Sequence, residues 1–242
     1  MKKIHYSWIV LAVSFLAIIV AGIIRSSSGV FIEPFEQEFD WGRPSISFAF
    51  AMSLFLYGLS GPFMAAFVER FGLRKVMLYS MGLLVIGLSL TFVMKTEWQL
   101  MLIWGVMIGV GSGLFLTVLS AQVANRWFVK RRGLAVGILM AATATGQLVL
   151  LPVLAWLVSE YSWRTAILLI FSLGILMFIL LFIFMRNYPR DVGIPPLGEE
   201  EIAPEVVPPV GNPFKIAIAV LFEALRVKEF WLLAGSFLIC GL

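Results

Sequence analysis

The sequence predicts an all-α membrane protein: six membrane-spanning helices, a long loop, and the start of a seventh helix. Three observations carry this reading. Hydrophobic residues make up 61% of the chain and charged residues 13%, against about half and about a quarter in a soluble domain, so lipid is the solvent for most of the chain. Six apolar runs reach roughly 20 residues, the length at which a helix crosses a hydrocarbon core of about 30 Å. The basic residues gather at alternate ends of those runs, so the net charge of +4 reflects membrane topology, and no nucleic-acid partner is expected.

The first run covers residues 8–32. Lys2 and Lys3 ahead of it resemble the start of a signal peptide, but the run is long, lacks an evident small-residue cleavage site and is followed by more spans, so it reads as a retained helix. The next five lie near 45–68, 76–94, 98–124, 134–158 and 163–185, and a seventh begins near 230 and reaches residue 242 too short to span. Residues 1–186 are therefore expected to form the bundle, 187–228 a linker, and 229–242 the truncated start of helix seven. Seven of the chain's eleven prolines and the acidic run Glu199, Glu200, Glu201 fall in the linker, a composition that is mobile at least in part. Its last portion, 214–227, mixes apolar residues with Lys215, Glu223 and Arg226 and suits a short helix lying in the membrane interface.

Orientation follows from charge. One set of ends holds fourteen basic residues, among them Lys2, Arg70, Arg74, Lys75, Arg126, Lys130 and Arg190; the opposite set holds only Arg43, Lys95 and Arg164. The N-terminus and the long loop are therefore expected in the cytoplasm of a multi-pass cell-membrane protein. The first outer loop is expected to be acidic, with Glu33, Glu36, Glu38 and Asp40.

An internal echo points to architecture. Pro62 lies twelve residues before Arg74, and Pro152 twelve before Arg164, each segment leading directly into another apolar run. Spans one to three and four to six then read as two copies of a three-helix unit, inverted relative to one another because three is odd.

Arg25 is the charge well inside a span. An unpaired charge in hydrocarbon costs at least about 2.5–3.5 kcal/mol, so such a residue is a functional candidate by default. It lies towards the outer leaflet, where the side chain could snorkel to headgroups. Alternatively it faces a cavity, since Ala21, Gly22, Ser28 and Gly29 give its surroundings a small and polar character. In a cavity, the planar guanidinium would hold a carboxylate through paired hydrogen bonds, which makes a small organic anion the expected substrate. Ser28, Thr143 and Gln147 are the polar candidates to line the same path; Ser112, Thr117, Ser120, Gln122 and Thr145 are shared between that role and interhelical hydrogen bonds.

Gly105, Gly109 and Gly113 recur at every fourth residue of the fourth span, a stripe that lets helices approach closely. After span two, Glu69 closes a helix where its charge opposes the dipole and calls for a basic neighbour, while Gly72 permits a tight reversal. With Arg70 and Arg74 this makes a charge-latched hairpin. The single Cys240 and single His5 provide neither a disulfide framework nor a metal-ligand set, and no nucleophile, base and anion-hole group gathers. No cofactor, metal or enzymatic activity is expected.

The loop from Glu69 to Lys75 resembles the helix 2–3 loop of the major facilitator superfamily. Within that superfamily the run from Arg126 through Trp127, Phe128, Lys130, Arg131, Arg132, Gly133 and Gly137 to Gly146 is similar to the signature that enters helix five in the monocarboxylate and oxalate/formate transporter group. Gly61 with Pro62, and Glu223 to Arg226 ahead of Phe230, also look like that group. Arg25 falls where monocarboxylate transporters have a cavity lysine on helix one. There are departures: Glu69 replaces the commoner Asp, Ala65 stands where Gly opens the motif, and helix one keeps only Tyr6, Ser7 and Trp8 of its signature.

The resemblance implies the six-helix N-terminal half of a twelve-helix fold, built of 3+3 inverted repeats, with substrate bound between two halves that rock to give alternating access. It implies a C-terminal six-helix half as partner and a proton-coupled or anion-exchanging carrier of small monocarboxylates. Arg25 would be the carboxylate anchor, with Glu69, Arg70, Gly72, Arg74, Lys130, Arg131 and Arg132 setting the cytoplasmic gate. Two other readings stay open on the sequence: a carrier for another solute class such as drug export, and a non-transporting half that needs a second chain.

Overall fold

The computed structural model describes residues 5–199, 201, 213–224, 226–228, 230–232 and 235–236. Six helices are long and apolar enough to cross a membrane: α1 Tyr6–Phe39, α2 Arg43–Phe71, α3 Leu73–Thr91, α4 Glu97–Trp127, α5 Arg132–Glu160 and α6 Trp163–Phe184. A shorter helix, α7 Pro213–Ala224, lies against α2, with Phe214 packed on the Phe63 and Phe67 rings. The predicted start of a further span at 229–242 falls largely outside the described residues, as do Lys2, Lys3, Glu200 and Cys240.

Boundaries follow local chemistry. Gly42 and Pro44 open α2, Gly72 breaks the chain between α2 and α3 with φ +86°, and the Ser162 hydroxyl accepts from the Thr165 N–H at the start of α6. At the start of α4 the Gln99 carboxamide oxygen accepts from the N–H groups of Lys95 and Thr96 at 2.8 and 3.2 Å. Two stretches of α4, Met101–Ile108 and Leu114–Val118, widen into π-helical turns around the glycine-rich Gly109–Gly113.

One expectation is corrected. The acidic first outer loop is not a loop: helix continues to Phe39 and carries Glu33, Glu36 and Glu38. The reason is aromatic packing between helices. Phe31, Phe35 and Phe39, spaced by four, stack along one face, with Phe31 and Phe35 against Trp104 at 5.5 and 6.4 Å and Phe35 and Phe39 against Trp163 at 5.1 and 6.0 Å.

The packing has internal symmetry. The α1 helix lies chiefly on α5 and α6, α4 lies chiefly on α2 and α3, and α3 packs on α6. Exchanging the first three helices for the second three leaves this pattern unchanged, which is the arrangement of two inverted three-helix repeats. Close approach is built in at both parallel pairs. A Cβ placed on Gly109 would stand 2.8 Å from the Ser53 carbonyl oxygen, and one on Gly146 would stand 3.2 Å from the Ile19 carbonyl oxygen. The glycine stripe of α4 is thus a packing surface against α2.

The segment after α6 is bound to the bundle. Asn187 accepts from the Arg74 N–H through Oδ1 at 2.9 Å, the Leu197 N–H donates to the Trp127 carbonyl, and the Leu197 carbonyl accepts from Val129 and Lys130. The first part of the proline-rich stretch is therefore a strap across both loops of the basic face, held by backbone pairing that composition does not encode.

Candidate functional site

Arg25 stands 19 residues beyond Tyr6 and 13 before Glu38 on α1. Tyr6 donates to the Phe184 carbonyl at one end of α6, and Glu38 accepts from Trp163 and Arg164 at the other. Those two ties fix the level of Arg25 at about three-fifths of the height of α6, roughly 28 Å along the helix from Tyr6. That level is past the midpoint of the span, on the side away from Tyr6.

The helix is interrupted at this level. Ser27 separates two helical segments, and its hydroxyl donates to the Ile24 carbonyl at 2.8 Å. Beside the break the Arg25 guanidinium lies over the Tyr57 ring of α2, 4.4 Å from its centroid. Stacking occupies one face of the cation and leaves its N–H edge available. Among the described residues Arg25 forms no ion pair. Half-buried Gln147 on α5 donates to the Ser26 hydroxyl at 2.7 Å. Thr143, one turn before Gln147, faces Gly22, where an added Cβ would meet its methyl group at 3.7 Å.

Of the candidate binding residues, Thr143 and Gln147 of α5 adjoin Gly22 and Ser26 on the turn of α1 that carries Arg25, Arg25 itself lies against Tyr57 of α2, and half-buried Ser28 lies one turn further along α1. Tyr57 and Ser26 were not singled out from the sequence. Tyr57 reads there as one more aromatic in an apolar run, although a phenol in the middle of a span was a signal. Around the site, Leu54, Phe55 and Leu59 of α2 and Met140, Leu148 and Val149 of α5 are exposed.

The basic face carries a second constellation. The Glu69 carboxylate accepts from Arg126 Nη2 at 3.2 Å and from Gln122 Nε2 at 3.1 Å, while Arg126 Nε donates to Gln122 Oε1 at 3.1 Å. The Arg126 side chain is only 7% exposed, so this pair is screened on one side. Tyr188 of the strap is sandwiched between the Arg126 and Arg190 guanidinium groups at 4.8 and 4.7 Å. Sequence reasoning missed Arg126 and Tyr188 as members of this cluster.

The other gating candidates are spread around it. The Arg74 side chain donates to the Phe182 carbonyl at 2.6 Å, tying α3 to α6. An added Cβ on Gly72 would stand 2.7 Å from Asn187 Oδ1, so this reversal fits only glycine. Arg70 lies near the Phe71 ring, and Arg132 Nε donates to the Phe128 carbonyl at 3.2 Å. Arg131 opens α5 in the left-handed region, and Lys130 contributes its backbone N–H to Leu197. Lys130, Arg131 and Arg132 are all exposed and are not joined to Glu69.

The signature residues of α1 have identifiable contacts. Ser7 donates to the Trp127 carbonyl at 3.1 Å, and the Tyr6 and Trp8 rings lie 5.8 and 5.6 Å from those of Trp127 and Phe128. The start of α1 is thereby seated on the loop that enters α5.

At the opposite face the Glu38 carboxylate is gripped by both terminal guanidinium nitrogens of Arg164 and by the Trp163 indole, joining the C-terminal end of α1 to α6. Among the described residues no group of His, Cys, Asp and Glu side chains could hold a metal ion.

The model of the Major Facilitator Superfamily matches residues 14–242. Curated relatives agree with it. Monocarboxylate transporter 13 of Bos taurus is 28% identical over 171 residues, 70% of this chain and 40% of the relative. Monocarboxylate transporter 9 of Rattus norvegicus is 24% identical over 203 residues, 84% of this chain and 39% of the relative. An uncharacterized MFS-type transporter of Bacillus subtilis is 28% identical over 162 residues, 65% of this chain and 39% of the relative. The chain matches about two-fifths of the length of each.

Proposed function

Because this chain belongs to the major facilitator superfamily, a family of membrane-spanning transporters, we propose that it forms the N-terminal half of a carrier for small monocarboxylates or related organic anions. The observation that carries the proposal is Arg25: a guanidinium inside a membrane-spanning helix, stacked on Tyr57 and without a carboxylate partner among the described residues. A half-buried cation in that state gains most from a ligand that brings the missing negative charge. The substrate carboxylate accepts two N–H bonds from the Arg25 edge, with Ser28, Thr143 and Gln147 offering neutral hydrogen-bonding groups nearby.

The exposed faces of α2 and α5 around the site are the surface on which a second six-helix half closes, and substrate lies between the two. Rocking of the halves alternates access. The Glu69–Arg126–Gln122 cluster and the strap bind the loops of the basic face into one rigid unit for that motion. In this reading the basic face and the N-terminus are cytoplasmic and the protein resides in the cell membrane. Among the described residues the acidic side chains lie towards helix ends and in loops. Coupling to protons or to a counter-anion is therefore assigned to groups contributed by the second half.

The test is uptake of labelled monocarboxylates into proteoliposomes holding the purified full-length protein. Arg25→Ala abolishes uptake while the protein remains monodisperse and helical. Unchanged uptake by that variant removes Arg25 from the mechanism, and uptake of other solutes that lactate, formate and oxalate do not compete would reassign the substrate class.

A further inference from the structure

Two apolar grooves flank α3 near the basic face. One, of about 400 Å³, runs between α2 and α3 past Met64, Phe67 and Phe71; the other, of about 750 Å³, runs between α3 and α6 past Ile86, Phe178 and Phe182. A single ridge of Lys75, Tyr79 and Leu83 borders both. These residues are spaced by four and therefore stack along one line of the helix.

The ridge is graded from charged to apolar. Lys75, in the first turn of α3, is exposed, and among the described residues its ammonium group forms no hydrogen bond or ion pair. Tyr79 is 77% exposed and lies one turn, about 6 Å, deeper in the membrane. Leu83 and the groove walls beyond it are hydrocarbon, apart from Ser80. One cation, one amphipathic ring and two parallel apolar channels match a molecule with one anionic head, a polar ester region and two chains.

We propose that this ridge binds one anionic diacyl phospholipid from the leaflet bordering the basic face. Its phosphate pairs with Lys75, the Tyr79 phenol lies at the level of the ester groups, and the two acyl chains lie in the two grooves astride Leu83. Charge complementarity selects the occupant: a lysine at a lipid-facing helix end attracts headgroups with a net negative charge, while a zwitterionic annular lipid offers a phosphate whose charge is already balanced by its own ammonium group. The site is independent of which solute is carried.

The experiment uses the purified full-length protein in nanodiscs that contain phosphatidylglycerol or phosphatidylcholine with a photoreactive acyl chain, the cross-links being mapped by peptide mass spectrometry. The phosphatidylglycerol probe is expected to label residues 79–86 of α3 and 178–182 of α6 preferentially. Lys75→Ala lowers that labelling about five-fold, the effect of one basic residue at an anionic surface, and Lys75→Arg keeps it. Labelling elsewhere on the bundle stays the same and serves as the folding control. Equal labelling by phosphatidylcholine, or labelling insensitive to Lys75→Ala, overturns the proposal. Absence of labelling by either probe means that protein, a second copy or another part of the carrier, covers the ridge, and this overturns it too.

Discussion

Replacing Gly109 by alanine tests the packing that frames the site. In the folded bundle an added Cβ at this position would lie 2.8 Å from the Ser53 carbonyl oxygen and 3.0 Å from its Cα. Both are backbone atoms, so no side-chain rotation relieves the contact and α4 must move away from α2. Overpacking of a tight interior costs about 1–3 kcal/mol, and backbone-to-backbone contact puts this case near the top of that range. Alanine is favoured over glycine inside a helix by about 0.8–1.0 kcal/mol, which offsets part of the loss. The net is about 2 kcal/mol, a fall of about 4–8 °C in melting temperature for a bundle of this size.

Gly137 on α5 is the control, because an added Cβ there meets nothing within 4 Å. Gly137→Ala should be neutral or stabilising by up to about 1 kcal/mol. The assay is thermal unfolding of the purified protein in detergent, followed by tryptophan fluorescence. If the two alanine variants melt together, the α2–α4 contact is not the close approach described above.

Gly72→Ala combines an unfavourable positive φ with a clash against Asn187, so it should cost about 1–3 kcal/mol. In the Gly72→Ala/Asn187→Ala double variant the losses should add to less than their sum, and a thermal-melt double-mutant cycle measures this. Glu69→Gln leaves the largely buried Arg126 without its counter-charge; since Glu69 is itself 46% exposed, the expected loss is about 1 kcal/mol, shrinking as salt is raised. Melts at low and high ionic strength check it. Glu38→Gln removes the exposed grip on Arg164 and should change stability by less than about 1 kcal/mol in the same assay.

The sequence was most legible where physics acts locally. Six apolar runs announce six spans, and the ends of α2 and α5 fall within a few residues of expectation because Gly42, Gly72 and Arg132 interrupt or flank hydrocarbon. The C-terminal end of α1 was misread because the acidic side chains of Glu33, Glu36 and Glu38 mask an aromatic face, Phe31, Phe35 and Phe39, whose partners Trp104 and Trp163 are remote in sequence. The latch shows the same limit. The position of Glu69 calls for a basic neighbour, but that the neighbour is Arg126 on α4, 57 residues away, depends on how α2 and α4 cross.

Arg25 announces itself as a charge in a span, whereas Tyr57 and Ser26 belong to the site only through contacts between helices. The strap was read as a linker because prolines set the composition of 187–199, and the backbone bonds of Leu197 to the loop after α4 leave no trace in composition.

The central claim is that the charge of Arg25 meets a carboxylate. Equilibrium binding of a small monocarboxylate and of its uncharged amide to the full-length protein, compared between wild type and Arg25→Gln, tests it most directly. A charged hydrogen-bonded contact contributes about 1.5–3 kcal/mol, so wild type should prefer the acid by about ten- to a hundred-fold. Arg25→Gln should lose that preference while still binding the amide. A variant that goes on preferring the acid to the same degree would contradict the account.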